Sequence, residues 1–313
     1  MCFAPDDPPI LLTGSTGHTG RRVAQRLLER GARVRCLVHT RDHESRLPRH
    51  DRLEIVHGSA QSAADLAVSL EGINTVIHLA HIRFAPVLIR VLSESLAPAT
   101  SSSSAPSLPS SPSRRRLIAM SSTRMLSRFA TDTRDAVRAG EEAITSAPPS
   151  IRWTILRPSM IFGGPDDNNL ERLATVLRRH RFFPLFGSGR NLVQPIFVWD
   201  LVDAIVACLE RPATVGRCYT LAGPEPLPFR AMVETVARAC GAKPPVFVRL
   251  PLGPSLVLAR CLRRLWPNSP LDPEAIQRFG ENKVFDISKA RRDLAFAPTP
   301  LAEALERKFK RLV

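Results

Sequence analysis

No apolar run in the sequence reaches the ~18 residues that a membrane-spanning helix needs. Residues 1–14, MCFAPDDPPILLTG, carry no basic flank and no small-residue cleavage site after an apolar stretch, so no secretory leader is expected. None of the six cysteines, at positions 2, 36, 208, 218, 240 and 261, stands in a C-x-x-C pair, which removes support for zinc and thioredoxin-type chemistry and leaves no expected metal site. Cys36, Cys208 and Cys240 fall in apolar periodic segments and are expected to be small core hydrophobes in a reducing, cytoplasmic setting. No zinc-finger, homeodomain or RNA-recognition pattern accompanies the net charge of +15, so no specific nucleic-acid partner is expected. Much of the excess is arginine spread along helices, as in residues 21–35, where it serves a solvated surface and attracts a phosphorylated ligand. The 313 residues include a single tyrosine.

A length of 313 residues allows one large α/β core, or a core with a smaller second lobe. Short apolar runs and helical periods alternate along the first half. Strands are expected at 10–14, 32–38, 53–57, 75–80, 116–120 and 151–156, with helices at 20–30, 62–71, 84–97 and 132–146. That alternation implies a doubly wound parallel sheet covered on both faces, an α/β fold of Rossmann type. Residues 98–113, PATSSSSAPSLPSSPS, interrupt it with a low-complexity stretch that has nothing to bury, and a disordered surface insertion is expected there. Beyond it come helices at 168–181, 200–211, 229–240, 253–266 and 300–312, and strands at 192–198, 217–221 and 246–249. The expected division is a dinucleotide-binding domain over 1–163 and a smaller substrate or partner lobe over 164–313, with 192–224 returning to the main sheet.

The dinucleotide expectation rests on Thr13-Gly14-Ser15-Thr16-Gly17-His18-Thr19-Gly20, which leaves the first strand and opens the first helix. Gly14 permits the tight turn, Gly17 lets backbone approach a pyrophosphate, and Gly20 allows close helix–strand packing. The helix N-terminus offers free N–H groups and partial positive charge, and Ser15, Thr16 and Thr19 add hydroxyl donors. An acid at the tip of the second strand would hold a ribose 2′-hydroxyl, whereas a basic residue accommodates a 2′-phosphate. Here the strand ends Leu37-Val38-His39-Thr40-Arg41, with Asp42 only afterwards. Arg41 and His39 therefore favour NADP(H), with NAD(H) the alternative.

TGSTGHTG is similar to the TGxxGxxG fingerprint of the extended and atypical short-chain dehydrogenases/reductases. Leu79-Ala80-His81, Ser121-Ser122, the RPSMIFG segment at 157–163, the YTLAGPE segment at 219–225 and Gln194-Pro195-Ile196-Phe197-Val198 before Asp200 resemble further motifs of that superfamily. Within it the chain is similar to the atypical group of NmrA-like proteins and complex I accessory subunits, related to NAD-dependent epimerases/dehydratases. The resemblance implies that Gly14, Gly17 and Gly20 hold the pyrophosphate. It also implies that Leu79 and Ala80 lie along the adenosine and that Ser121, Pro158 and Ile161 line the nicotinamide end.

Two departures matter. The acid often found after the third strand is here Ser59. Active members use a Tyr and a Lys four residues later, the phenol exchanging a proton and the ammonium depressing its pKa. Matching Ala139-Gly140-Glu141 to the family pattern places Thr133 at the Tyr position and Val137 at the Lys position. Arg134 and Arg138 remain as clamps for ribose or phosphate. Catalytic residues stay unknown, with Ser121 and Thr123 the weak candidates, and His78 and His81 read as core histidines. Three functions stay open: an oxidoreductase or epimerase-like enzyme with an unconventional acid, a non-catalytic redox sensor or accessory subunit, and, on charge alone, a nucleic-acid-associated protein. The partners expected are the dinucleotide and an unknown small-molecule substrate or partner protein. The helix at 253–266 carries Leu256, Leu262 and Leu265 beside Arg260, Arg263 and Arg264. Packing on its own domain is the expected role, with weak peripheral membrane contact the alternative.

Overall fold

The structure, a computed structural model, describes residues 3–4, 6–96, 114–164, 166–167, 169–266 and 272–310. The expected insertion at 98–113 lies outside them. In chain order the elements are β1 (Ile10–Thr13), α1 (Gly20–Glu29), β2 (Val34–Val38), β3 (Leu53–His57), α2 (Ala63–Ser69), β4 (Thr75–His78), α3 (Ala85–Glu94), β5 (Arg115–Met120), α4 (Asp132–Thr145) and β6 (Ile151–Pro158). They continue with β7 (Ile161–Phe162), α5 (Leu170–Arg179), β8 (Phe182–Phe186), β9 (Leu192–Val193), β10 (Ile196–Phe197), α6 (Val198–Glu210) and β11 (Arg217–Leu221). The last are β12 (Leu227–Pro228), α7 (Phe229–Ala239), β13 (Val246–Leu250), α8 (Leu252–Leu265), α9 (Pro273–Gln277), α10 (Ser288–Leu294) and α11 (Leu301–Lys310).

Seven parallel strands form one sheet in the order β11-β6-β5-β4-β1-β2-β3. All four residues of β1 are buried, as a strand covered on both faces requires. On one face Val23, Leu27, Leu201, Ile205, Ala290 and Leu294 bring α1, α6 and α10 into a common core. On the other, Leu66, Leu88, Leu92, Val137 and Ile144 do the same for α2, α3 and α4. The strand order reverses at β1, with β2 on one side and β4 on the other, so a crevice opens at the carboxyl ends of β1 and β4. A third core joins α5, α7 and α11 through Leu170, Ala174, Met232, Val236, Leu305 and Phe309.

Several expectations change. The single strand expected at 192–198 is split by Pro195, which has no N–H to give a ladder. Its halves β9 and β10 pair with β12 and β7, outside the seven-stranded sheet. Of residues 192–224, β11 alone enters that sheet. Strand β8 and helices α9 and α10 were not anticipated; β8 pairs with β13 despite Pro184. Helix α8, expected to cover its own lobe, buries Ala259 alone and leaves Leu265 84% and Trp266 59% exposed. Among the described residues no helix is long and apolar enough to cross a membrane.

Arg116, on the interior strand β5, ties the sheet to the end of α6. Its Nη1 donates to Arg152 O at 2.8 Å, and its Nη2 to Thr154 Oγ1 at 2.7 Å, Cys208 O at 3.0 Å and Thr214 Oγ1 at 2.9 Å. Arg116→Met strands these acceptors and should cost about 3 kcal/mol in urea unfolding, whereas a loss under about 1 kcal/mol would contradict this role.

His78 is fully buried in β4, with Nδ1 hydrogen-bonded to Thr13 Oγ1 at 2.8 Å. Burial pushes its pKa from 6.5 down to about 4, so the ring is neutral at pH 7. The unfolded chain takes up this proton first, so the stability contributed by the neutral ring is present above about pH 6.5 and is lost as pH falls toward 4. Stability measured between pH 7 and 4.5 should therefore fall less steeply in His78→Gln than in the parent. Equal slopes would show that His78 titrates normally.

Candidate functional site

The turn from β1 into α1 is set by close backbone approach. Gly14 has φ +68°, and a Cβ there would stand 2.5 Å from Ala80 N and 2.6 Å from Leu79 C. A Cβ on Gly20 would run into the carbonyl oxygen of Gly14, and one on Gly17 would lie 3.2 Å from the same oxygen. Helix α1 starts at Gly20 with no side-chain cap and no acid in its first turn. Among the described residues nothing accepts from the N–H groups of His18, Thr19 and Gly20. Free N–H groups at an uncapped helix start, next to an exposed Gly17, fit a pyrophosphate.

The other fingerprint residues hold this cradle in shape. Thr13 is buried against His78, and Ser15 Oγ donates to Leu37 O at 3.4 Å, tying the turn to β2. Thr19 is buried, and Thr16 is half-buried beside the exposed Gly17. His18 Nε2 lies 2.5 Å from Gly163 O, and burial pushes that ring's pKa down to about 4. Arg22 donates to His18 O and, at 2.8 Å, to Asp166 Oδ1, while Arg21 also pairs with Asp166. Lys308 of α11 secures the same loop from the other side, donating to Gly164 O at 2.6 Å and meeting Glu171 Oε2 at 2.8 Å. The loop after β7 thus lies against the start of α1, a contact between segments 145 residues apart that sequence reasoning missed.

His39 and Arg41 stand exposed past the end of β2, and Leu79 and Ala80 past the end of β4 against Gly14. Ser121, Thr123, Pro158 and Ile161 lie farther along the same sheet edge, in the wall of a cavity of about 540 Å³. Met120, Met160, Phe229, Met232 and Phe279 give that cavity an apolar side, and Arg124, Arg278 and Lys283 a basic one. The three basic residues were absent from the sequence reading: α9 and the loop after it, which hold Arg278 and Lys283, carry no motif or strong period, and Arg124 lies in the turn after β5.

Ser121 proves to be committed elsewhere. Its Oγ donates to Glu141 Oε1 at 2.5 Å. Glu141, buried on α4, also receives Arg157 through Nε at 2.9 Å and Nη2 at 2.5 Å. The carboxylate beside Arg157 raises that guanidinium's pKa. This triad locks α4 against the ends of β5 and β6. Ser121 Oγ is spent on it, which leaves Thr123 the freer hydroxyl of the two candidates. His81, expected in the core, is exposed past the end of β4 and uses its ring to accept from Arg83 N at 3.2 Å.

Val137, at the position the resemblance gives to lysine, is buried in the core under α4. Arg138 points to solvent, and Arg134 is half-buried with an Nε that meets no partner among the described residues. Tyr219 is buried in β11 with its hydroxyl 3.1 Å from Asp293 Oδ2, and burial with that carboxylate pushes the phenol up to about 12. It lies in neither the cradle nor the cavity wall.

Comparison with known proteins agrees with this geometry. A family described as NAD(P)H-binding matches residues 14–180. A 3-beta-hydroxysteroid dehydrogenase of Mycolicibacterium neoaurum is 23% identical, over 92% of this chain and 87% of its own. The mitochondrial NADH dehydrogenase [ubiquinone] 1 alpha subcomplex subunit 9 of Arabidopsis thaliana is 34% identical, but over only 32% of this chain and 24% of its own length. Among solved structures, UDP-glucuronic acid 4-epimerase from Bacillus cereus, in complex with UDP-glucuronic acid and NAD, superposes with a TM-score of 0.72 at 18% identity, covering 97% of this chain and all of that one. With its glycine cradle, uncapped α1 and strand order, the chain belongs to the NAD(P)H-binding family, within the atypical short-chain dehydrogenase/reductase and epimerase–dehydratase superfamily.

Proposed function

We propose that this protein binds NADP(H) in preference to NAD(H), with the pyrophosphate on the N–H groups at the start of α1 and the 2′-phosphate at Arg41 and His39. The observation that carries the reading is the uncapped, acid-free helix start behind Gly14 and Gly17, since an anion is what such a terminus lacks. The absence of a carboxylate within the last residues of β2, and Arg41 just beyond them, support the phosphorylated cofactor. In this reading Leu79 and Ala80 flank the adenosine. Ser121, Pro158 and Ile161 face the nicotinamide, and the 540 Å³ cavity takes the second reactant. A nicotinamide cofactor supplies hydride chemistry when bound; this chain's residues orient it and enclose the cavity.

A second reading, a redox sensor or accessory subunit without turnover, is favoured by Val137 in the core and by the phenol of Tyr219 held at Asp293. Consumption of NADPH with a carbonyl substrate separates the two.

Fluorescence titration of the purified chain should give tighter binding of NADPH than of NADH, and Arg41→Ala should remove mainly that difference, about 1–3 kcal/mol. Equal affinities in the parent protein contradict the assignment of Arg41. Gly17→Glu puts a carboxylate where the pyrophosphate sits and should weaken NADPH and NADH alike, by roughly a hundredfold or more. Unchanged affinities in that variant would move the cofactor out of the cradle.

A further inference from the structure

The cavity at the ends of β5 and β6 has an unusual charge balance. Among the described residues Arg124, Arg278 and Lys283 line it, and no aspartate or glutamate does. Among the described residues Lys283 Nζ has no hydrogen bond and no ion pair. Arg278 Nε is buried and likewise without a partner.

The acids nearby bond chiefly elsewhere, although Glu281 acts through space on Lys283, and Glu274, Glu281 and Asp272 act on Arg278. Glu281 accepts from Ser127 Oγ at 3.0 Å and from Arg128 N at 2.8 Å. Glu274 reaches Arg124 only at 4.0 Å, and Asp272 pairs with Arg263. Burial, and after it the charge of Arg278, pushes Lys283 down to about 8, and Arg278 itself is lowered by burial and by Arg124. Like charges crowded at a half-buried wall raise one another's cost, and an anion seated among them removes it. The rest of the lining is largely apolar and adaptable. Phe229 and Phe279 meet edge to face at 4.9 Å, with Met120, Met160 and Met232 around them.

We propose that this cavity takes an amphiphilic organic anion, its acid group held by Lys283 and Arg278 and its carbon skeleton laid against the phenylalanine and methionine side. The proposal rests on the reading that the dinucleotide occupies the neighbouring cradle, and it names the class of the second reactant. A carboxylate or a phosphate monoester provides the same acceptor chemistry, and a guanidinium beside an ammonium serves both.

Calorimetric titration of the full chain, with and without saturating NADPH, tests this with three probes of one chain length: octanoate, octyl phosphate and octan-1-ol. Either anion should bind at least about tenfold more tightly than the alcohol, and the tighter of the two identifies the head group. Lys283→Met and Arg278→Met should each weaken that anion about tenfold while leaving octan-1-ol binding and NADPH affinity within about twofold. Retained alcohol binding shows that the variants still fold. Octan-1-ol binding as tightly as both anions overturns the proposal. So do variants that leave the anion unaffected, or that weaken NADPH instead, which would assign these cations to the dinucleotide. If the anion binds as described and NADPH does not, the dinucleotide reading fails by itself and the cavity assignment stands.

Discussion

The β1–α1 turn and the end of β4 approach each other at backbone distance. Gly14 sits with its Cα against the backbone of Leu79 and Ala80, and Gly20 sits over the carbonyl of Gly14. No side chain larger than hydrogen fits at either point. Much else follows from that contact. It draws α1 down on the sheet so that Val23 and Leu27 enter the core beside α6. It also leaves the first N–H groups of α1 facing the crevice where the strand order reverses.

Around this turn the chain spends its buried polar groups on positioning. Thr13 with His78 and Ser15 with Leu37 fix the turn from beneath. His18 with Gly163, and Arg22 with Asp166, fix the loop that borders it. Ser121, Glu141 and Arg157 fix the far end, where β5 and β6 meet α4. Each network joins elements distant in sequence, so the cradle and the cavity are held by one rigid sheet edge. Val137, at the position the resemblance gives to lysine, serves as packing. The cavity wall carries Arg124, Arg278 and Lys283 together with Met120, Met160 and Met232 instead.

The cradle was legible because its determinants are local: strand, turn and helix lie within residues 10–29, and glycine spacing reports backbone contacts directly. Strand β3 and strand β11 fall where period and composition place them. What was not legible depends on tertiary pairing. Nothing near Ser121 indicates that Glu141 will take its hydroxyl, because the carboxylate arrives on a helix 20 residues later. Lys283 sits in a loop without period, and its neighbours Arg124 and Arg278 come from segments about 150 residues apart. Pro184 hid β8, and Pro195 divided a run that otherwise reads as one strand. In α8 the amphipathic pattern was visible, but periodicity shows only that a face is apolar, not that another element covers it; here Leu265 and Trp266 stay exposed.

The central claim is that the uncapped start of α1 is a dinucleotide pyrophosphate site. A crystal structure of the chain grown with NADPH tests it most directly. The account predicts pyrophosphate oxygens within hydrogen-bond distance of the N–H groups of His18, Thr19 or Gly20, the 2′-phosphate at Arg41, and the nicotinamide toward Ser121 and Pro158. A dinucleotide seated elsewhere, or a helix start that stays empty at saturating NADPH, would contradict it.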